Sequence, residues 1–409
     1  MKTNELCLHA YDEGQGIFRL APNWVPRSFC RPGRRLKLHP DDYYSFGLHR
    51  GGIDERWLSS TTHADNGPET LEDEGLSYIV MKDGTRILLR ELVSELKDTV
   101  IGSSLWNRYG LWPMFSKFFD NMGPLPHHVH HKEEHARLVG MSGKPEMYFF
   151  PSQMNDHTGE FAYTFFGLNP EVTKKELKNS LEAFDKGDNE ILKLSRAYKL
   201  TLDTGWDVPP GVLHAPGSLC TYEPQFASDV YAMYQSVLLG GHVVPESLLW
   251  KNCPDTKVGN FDYLIEVLDW NENVDPQFTT NHYMKPMKIA ANTQEDDYTE
   301  EWICYLSKLV CAKRLTVFPG KTITIHDAAA YGMILLQGEG TFGNWKLETP
   351  TLIRFGEITN DEFFVSETAA IHGVRITNTS MTQPIVMLKH FSENPDLPEH
   401  SFEENIYAD

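Results

Sequence analysis

Five histidines fall between residues 127 and 135 of this 409-residue chain, in the run Pro126-His127-His128-Val129-His130-His131-Lys132-Glu133-Glu134-His135. On an extended strand alternate side chains share a face. His128 and His130 then point one way, and His127, Val129 and His131 the other. An HxH pair on one strand face can chelate a metal, because each imidazole offers a lone pair to the same point. Standing alone, such a pair reads equally well as a solvated, His-rich turn. Two other stretches supply partners. Glu146 lies in Lys144-Pro145-Glu146-Met147 at the head of an aromatic strand, which would bring it in from the neighbouring strand. His214 ends Pro209-Pro210-Gly211-Val212-Leu213-His214, just past a tight Pro-Gly corner. His128, His130, Glu146 and His214 make a set of three nitrogens and one oxygen, and one divalent metal ion is the expected cofactor. Glu134, four positions after His130, is a second choice for the oxygen ligand.

The remainder of the chain reads as mainly β. Asp83-Gly84 between two apolar runs predicts a hairpin, and a short helix is expected from Ser94 onward. Residues 148–150 and 161–166 read as strands. Thr173 and Glu176 have capping-box spacing, and Leu177, Leu181 and Phe184 follow at helical intervals up to Gly187. Residues 188–198 read as a second helix. Further on, 315–318, 322–325, 333–336, 351–354 and 384–388 are β-rich runs punctuated by Pro319-Gly320, Gly338-Glu339-Gly340 and Gly343-Asn344. The organisation expected is an N-terminal segment, 1–105, that adds strands to a first barrel. The metal-binding barrel is 106–283, with a helical insertion at 169–200. A second barrel, 284–392, has no metal, since His326 and His372 stand without an HxH or an intact PxGxxH. An acidic tail, 393–409, completes the chain.

Charge narrows the partners. Lys plus Arg is 37 and Asp plus Glu is 57, a net −20. Nucleic acid requires a basic footprint and an anionic membrane attracts one, so neither is an expected partner. No run of about 18 apolar residues spans a membrane, and residues 1–14 contain no apolar core of a signal peptide. The six cysteines show no CxxC pairing. A reducing cytoplasm is the expected location, and a small molecule the expected partner. The oligomeric state is not legible.

HxH, then Glu, then PxGxxH is the pattern of cupin barrels. More specifically, residues 114–120 (Met-Phe-Ser-Lys-Phe-Phe-Asp), 125–130, and Lys144-Pro-Glu-Met resemble type I mannose-6-phosphate isomerases. Asp54-Glu-Arg-Trp57 is similar to that family's acidic-Trp signature, the Thr173 helix to its helical insertion, and Pro209-Pro-Gly-x-x-His214-Ala215 to its second metal motif. The match is good over roughly 45–240 and loose beyond. The resemblance implies two cupin-type (jelly-roll) barrels, the first with a small helical insertion and the second degenerate. It implies Glu146 rather than Glu134 as the fourth ligand, zinc as the metal with manganese or iron as alternatives, and Lys144 and Glu223 as active-site groups. The sequence departs from the family in three places. His128 stands where the family has Gln. Pro126 stands where it has a phosphate-holding Ser. Residues 224–250 contain no Lys or Arg where it places an Arg and a Lys. The metal centre is retained and the phosphate clamp is not.

The function expected is a metal-dependent aldose–ketose isomerase that interconverts mannose-type and fructose-type sugars, phosphorylated or free, through an enediol. Two other readings stand beside it: an iron- or manganese-dependent oxygenase-type cupin, and a non-catalytic sugar-binding cupin. Lys132, Arg137 and Lys144 are the candidates for a substitute phosphate clamp. His131 and His135 are expected at the surface or behind the ligands.

Overall fold

Period-two alternation turns most of the chain into antiparallel strands. The computed structural model describes residues 3–155, 162–238, 240–289, 294 and 296–398. Phe161 of the expected strand and residues 399–409 of the expected tail lie outside them. Strand Met114–Phe119 shows the logic. Met114 and Phe118 enter one apolar core, while Phe115 and Phe119 enter others on the opposite face. Lys117 shares that second face.

One seven-stranded sheet has the order Tyr283–Met284, Gly205–Val208, Glu146–Phe149, Thr221–Phe226, Met114–Phe119, Gly52–Leu58, Asn23–Arg27. A five-stranded sheet faces it: Ser195–Lys199, Tyr163–Leu168, His214–Ala215, His128–Val129, Ala232–Met233. The later part of the chain repeats the arrangement. A seven-stranded sheet that includes Tyr331–Gln337, Ile385–Phe391 and Cys311–Val317 faces a four-stranded one that includes Thr322–Ile325 and Val374–Asn378, with a shared core of Phe342, Phe363 and Ile376. The two large sheets meet back to back through Phe118, Phe149 and Tyr222 on one side and Ile334, Leu336 and Leu388 on the other. Buried Arg56 crosses between them, 2.8 Å from Asp361 and 3.1 Å from Glu362. N-terminal strand Ile17–Arg19 pairs with Glu362–Val365 in the second large sheet. The mainly β class expected from the sequence is the class of the structure.

Local expectations fare unevenly. The hairpin forms between Tyr78–Val80 and Arg86–Leu88. The capping box forms too: Thr173 Oγ1 accepts from the Glu176 amide and Glu176 Oε2 from the Thr173 amide, at the start of helix Lys174–Leu181. Residues 188–198 are not a helix. After one 3-10 turn, Ile191–Lys193, strand Ser195–Lys199 pairs with Tyr163–Leu168, so sheet pairing overrides local propensity. Residues 351–354 form no strand, only a bridge between Ile353 and Leu38. The helix expected from Ser94 begins earlier, as Leu89–Leu96. Short helices Glu246–Leu249, Phe261–Glu266, Trp270–Asn273 and Phe278–His282 were not anticipated. Leu249 and Leu264 share an apolar cluster with Leu177 and Leu181.

Candidate metal centre

The three histidines come from the five-stranded sheet. His128 and His214 are direct register partners on adjacent strands, and His130 follows at the end of its strand. Gly211 makes this junction possible. Its φ of +85° favours glycine, and a Cβ there would lie 2.8 Å from the Asp269 amide. Its own amide donates to the His130 carbonyl at 2.8 Å, which ties the Pro-Gly corner to the HxH segment.

Each ring is oriented by the backbone. Nδ1–H of His128 donates to Pro126 O at 2.8 Å, that of His130 to Val230 O at 2.7 Å, and that of His214 to Val212 O at 2.9 Å. A carbonyl only accepts, so each Nδ1 carries a proton, and in the neutral ring Nε2 keeps its lone pair for a metal. The three rings offer ligand atoms within 4.8 Å of one another. Burial holds His128 well below the ordinary imidazole value and His130 down at about 3, so both are neutral.

Glu146 reaches the triad from the facing sheet, not from the neighbouring strand as the sequence reading had it. Its Oε2 is 3.1 Å from His130 Nε2 and its Oε1 3.2 Å from His214 Nε2. Burial pushes its carboxyl up, but the Lys144 ammonium 3.0 Å away works against that and the balance holds it well below the usual carboxylate range. Ring lone pairs therefore face an ionised carboxylate, and buried His214 Nε2 has no hydrogen-bond partner. A cation between these atoms would relieve that arrangement. The donor set of three imidazoles and one carboxylate suits zinc, manganese or iron. Tyr148 OH donates to Glu146 Oε1 at 2.8 Å and helps to fix it.

Glu134 is placed elsewhere. It sits on helix Glu133–Ala136 with its side chain 62% exposed, 3.2 Å from Lys132. His131 is buried, not at the surface, and His135 is half-buried. His326 and His372 are exposed. Elsewhere, Glu272, Asp275 and His282 lie close together, but His282 gives one nitrogen to Asp207 and the other to Glu272, which leaves no ring lone pair for a metal.

Lys144 and Glu223, singled out in the sequence, both reach the cavity beside the triad. Lys144 Nζ is 3.0 Å from Glu146 Oε2, 3.1 Å from His130 Nε2 and 3.4 Å from Glu223 Oε1. Burial and the neighbouring Glu146 charge push the Glu223 carboxyl up to about 8. The sequence reading missed the rest of the wall. Lys117 Nζ lies 3.2 Å from Glu223 Oε1 and 3.4 Å from Glu55 Oε1, and Arg27 Nη2 lies 3.1 Å from Glu55 Oε2. Glu223, Lys117, Glu55 and Arg27 thus form a charge ladder across four adjacent strands. Lys117 and Glu55 lie inside the two motifs quoted for the family resemblance. Nothing local marks Arg27.

No family model and no curated protein sequence matches this chain. Solved structures do. It superposes on mannose 6-phosphate isomerase from Bacillus subtilis with a TM-score of 0.61 at 16% identity, over 92% of this chain and 100% of that one. A point mutant of phosphomannose isomerase from Salmonella typhimurium gives 0.62 at 12%, over 92% and 100%. A zinc-bound mannose 6-phosphate isomerase gives 0.61 at 12%, over the same shares. At these identities the likeness is one of fold: the chain has the fold of the mannose-6-phosphate isomerases.

Proposed function

We propose that this protein is a metal-dependent aldose–ketose isomerase of the mannose-6-phosphate isomerase type, with one divalent ion held by His128, His130, His214 and Glu146. The observation that carries the reading is the convergence of three Nδ1-anchored histidines on Glu146, with Lys144 and Glu223 3.4 Å apart beside them. The zinc-bound neighbour supports zinc as the ion.

When bound, such an ion polarises a sugar carbonyl and its adjacent hydroxyl and stabilises the oxyanion of an enediol. The chain's own residues move the proton. Glu223, with its carboxyl lifted toward neutrality, is suited to accept the proton from C2 and return it to C1. Lys144 stands between Glu223 and Glu146 and can donate to the oxygen that gains charge. The cavity wall here is buried, which keeps water from competing for these groups.

The division into a metal-binding unit (106–283), a second unit (284–392) and an N-terminal contribution (1–105) belongs to the same proposal, as do the cytoplasmic location and the small-molecule partner. No described helix is long and apolar enough to cross a membrane. The decisive experiment is exchange of the C2 proton of aldoses in D2O on the metal-loaded protein, followed by NMR. Absence of exchange across a panel of free and phosphorylated sugars would end the isomerase reading. Three histidines and a glutamate also suit iron. Iron content with oxygen consumption would replace this reading by an oxygenase.

A further inference from the structure

Each cation lining the cavity beside the triad is already held by two carboxylates. Arg27 Nη2 lies 3.1 Å from Glu55 Oε2 and 3.1 Å from Asp229 Oδ1. Its Nη1 donates to Asn66 Oδ1 at 2.8 Å and to Asp229 Oδ2 at 3.3 Å, so Nε is the one guanidinium nitrogen without a partner. Lys117 is shared by Glu55 and Glu223, and Lys144 by Glu146 and Glu223. All three cations are buried, with side chains 2%, 7% and 2% exposed. Among the described residues, these three cations are shared among Glu55, Glu223 and Asp229, with Glu146 left to the metal. Of the three candidates for a substitute clamp, Lys144 is one of these paired cations and the other two lie elsewhere. Lys132 is taken up by Glu134 and Asp269 and Arg137 by Glu133, and neither lines the cavity.

A phosphate dianion is held by charge-assisted, often bidentate N–H donors. Here it would have to draw a cation away from a buried carboxylate that already holds it; Asp229, for one, would lose its ion pair with Arg27, which burial makes costly. Sugar hydroxyls make no such demand. Each one donates to a carboxylate and accepts from an ammonium, so a wall of alternating carboxylates and cations receives a polyol without breaking an ion pair. We propose that this site takes an uncharged, polyhydroxy aldose or ketose, and that a sugar phosphate is not its preferred ligand. The word substrate rests on the isomerase reading; the binding preference does not.

The test is calorimetry on the full-length, zinc-loaded protein with sorbitol and sorbitol 6-phosphate, open-chain polyols with no carbonyl to isomerise. The expected result is that sorbitol binds and its 6-phosphate binds no tighter. A 6-phosphate that binds tighter than sorbitol, or no binding of either polyol at millimolar concentration, overturns the proposal. In Asp229→Asn, which frees Arg27 from one carboxylate, the affinity ratio is expected to move toward the phosphate by tenfold or more. An unchanged ratio in the folded variant overturns the charge-pairing argument; if the variant does not fold, the wild-type comparison decides alone. C2 exchange in D2O separates the two readings. Sorbitol binding without exchange of any sugar in the panel, free or phosphorylated, ends the isomerase reading and leaves this preference standing. Exchange confined to mannose 6-phosphate does the reverse.

Discussion

His214 stands directly opposite His128 across two antiparallel strands, and their ring centroids are 4.1 Å apart. Both rings give Nδ1–H to backbone carbonyls, so neither offers a proton to the other. Two imidazole lone pairs held this close, beside an ionised Glu146, repel until a cation lies among them. Backbone hydrogen bonds therefore preorganise the triad before any metal arrives, and the ligand geometry belongs to the sheet itself.

Metal content follows from this. His130→Ala and His214→Ala are each expected to lose the bound ion, and Glu146→Gln to lose most of it. Glu134→Gln is expected to keep it, since Glu134 pairs with Lys132 away from the triad. Elemental analysis after dialysis checks all four variants. Full occupancy in either alanine variant would show that the ligand assignment is wrong.

Glu223 and the metal are separable. Glu223→Gln removes the proton acceptor but leaves His128, His130, His214 and Glu146 in place. The expected outcome is a zinc-replete protein whose C2 exchange falls by roughly 10²- to 10⁴-fold, the usual share of general acid–base catalysis. Unimpaired exchange would move the proton-carrying role to Lys144 or to a group outside this pair.

The site was more legible in the sequence than the ladder that supports it. HxH and PxGxxH are short motifs whose spacing states their geometry, so His128, His130 and His214 stood out at once. Glu146 is suggested by its place at the head of an aromatic strand, but the family resemblance is what sets it above Glu134, because its partners lie on the facing sheet and no local period relates the two. Arg27 was invisible for the same reason. It reaches the cavity through pairing of Asn23–Arg27 with Gly52–Leu58, a contact between distant stretches. Residues 188–198 misled because helix and edge-strand patterns are hard to tell apart in a polar segment; pairing with Tyr163–Leu168 decided the matter. The capping box at Thr173 succeeded because its chemistry is entirely local.

The second pair of sheets holds a feature that composition conceals. Lys313 and Lys389 are direct cross-strand partners, and like charges so placed repel. Asp327 and Glu300 neutralise them. Lys389 Nζ is 2.6 Å from Asp327 and 2.5 Å from Glu300, while Lys313 Nζ is 2.8 Å from Asp327 and 3.7 Å from Glu300. All four side chains are fully buried. Lys389→Met would strand a carboxylate in the core, at a cost of about 3–5 kcal/mol. The urea unfolding midpoint should fall accordingly. A loss below about 1 kcal/mol would mean that water reaches the quartet.

His282 predicts a pH dependence of stability. It lies 3.1 Å from Asp207 and 3.0 Å from Glu272, one partner on each ring nitrogen. Burial works against the charged ring, but the two carboxylates outweigh it and lift His282 to about 9. An unfolded histidine titrates near 6.5. The folded value is the higher one, so the contribution is fully present below about pH 6.5 and is lost as pH rises through 9. At 1.36 kcal/mol per unit, the ceiling is about 3 kcal/mol. Burial also pushes the Asp207 carboxyl up, which weakens the cluster at both pH values alike and leaves the pH-dependent loss to His282. The measurement is urea unfolding at pH 6 and pH 9.5 for the wild type and His282→Gln. Other groups titrate alike in both proteins, so the difference between them isolates this cluster. The wild type should lose its advantage over the variant at the higher pH. Parallel declines would assign the pH dependence to other groups.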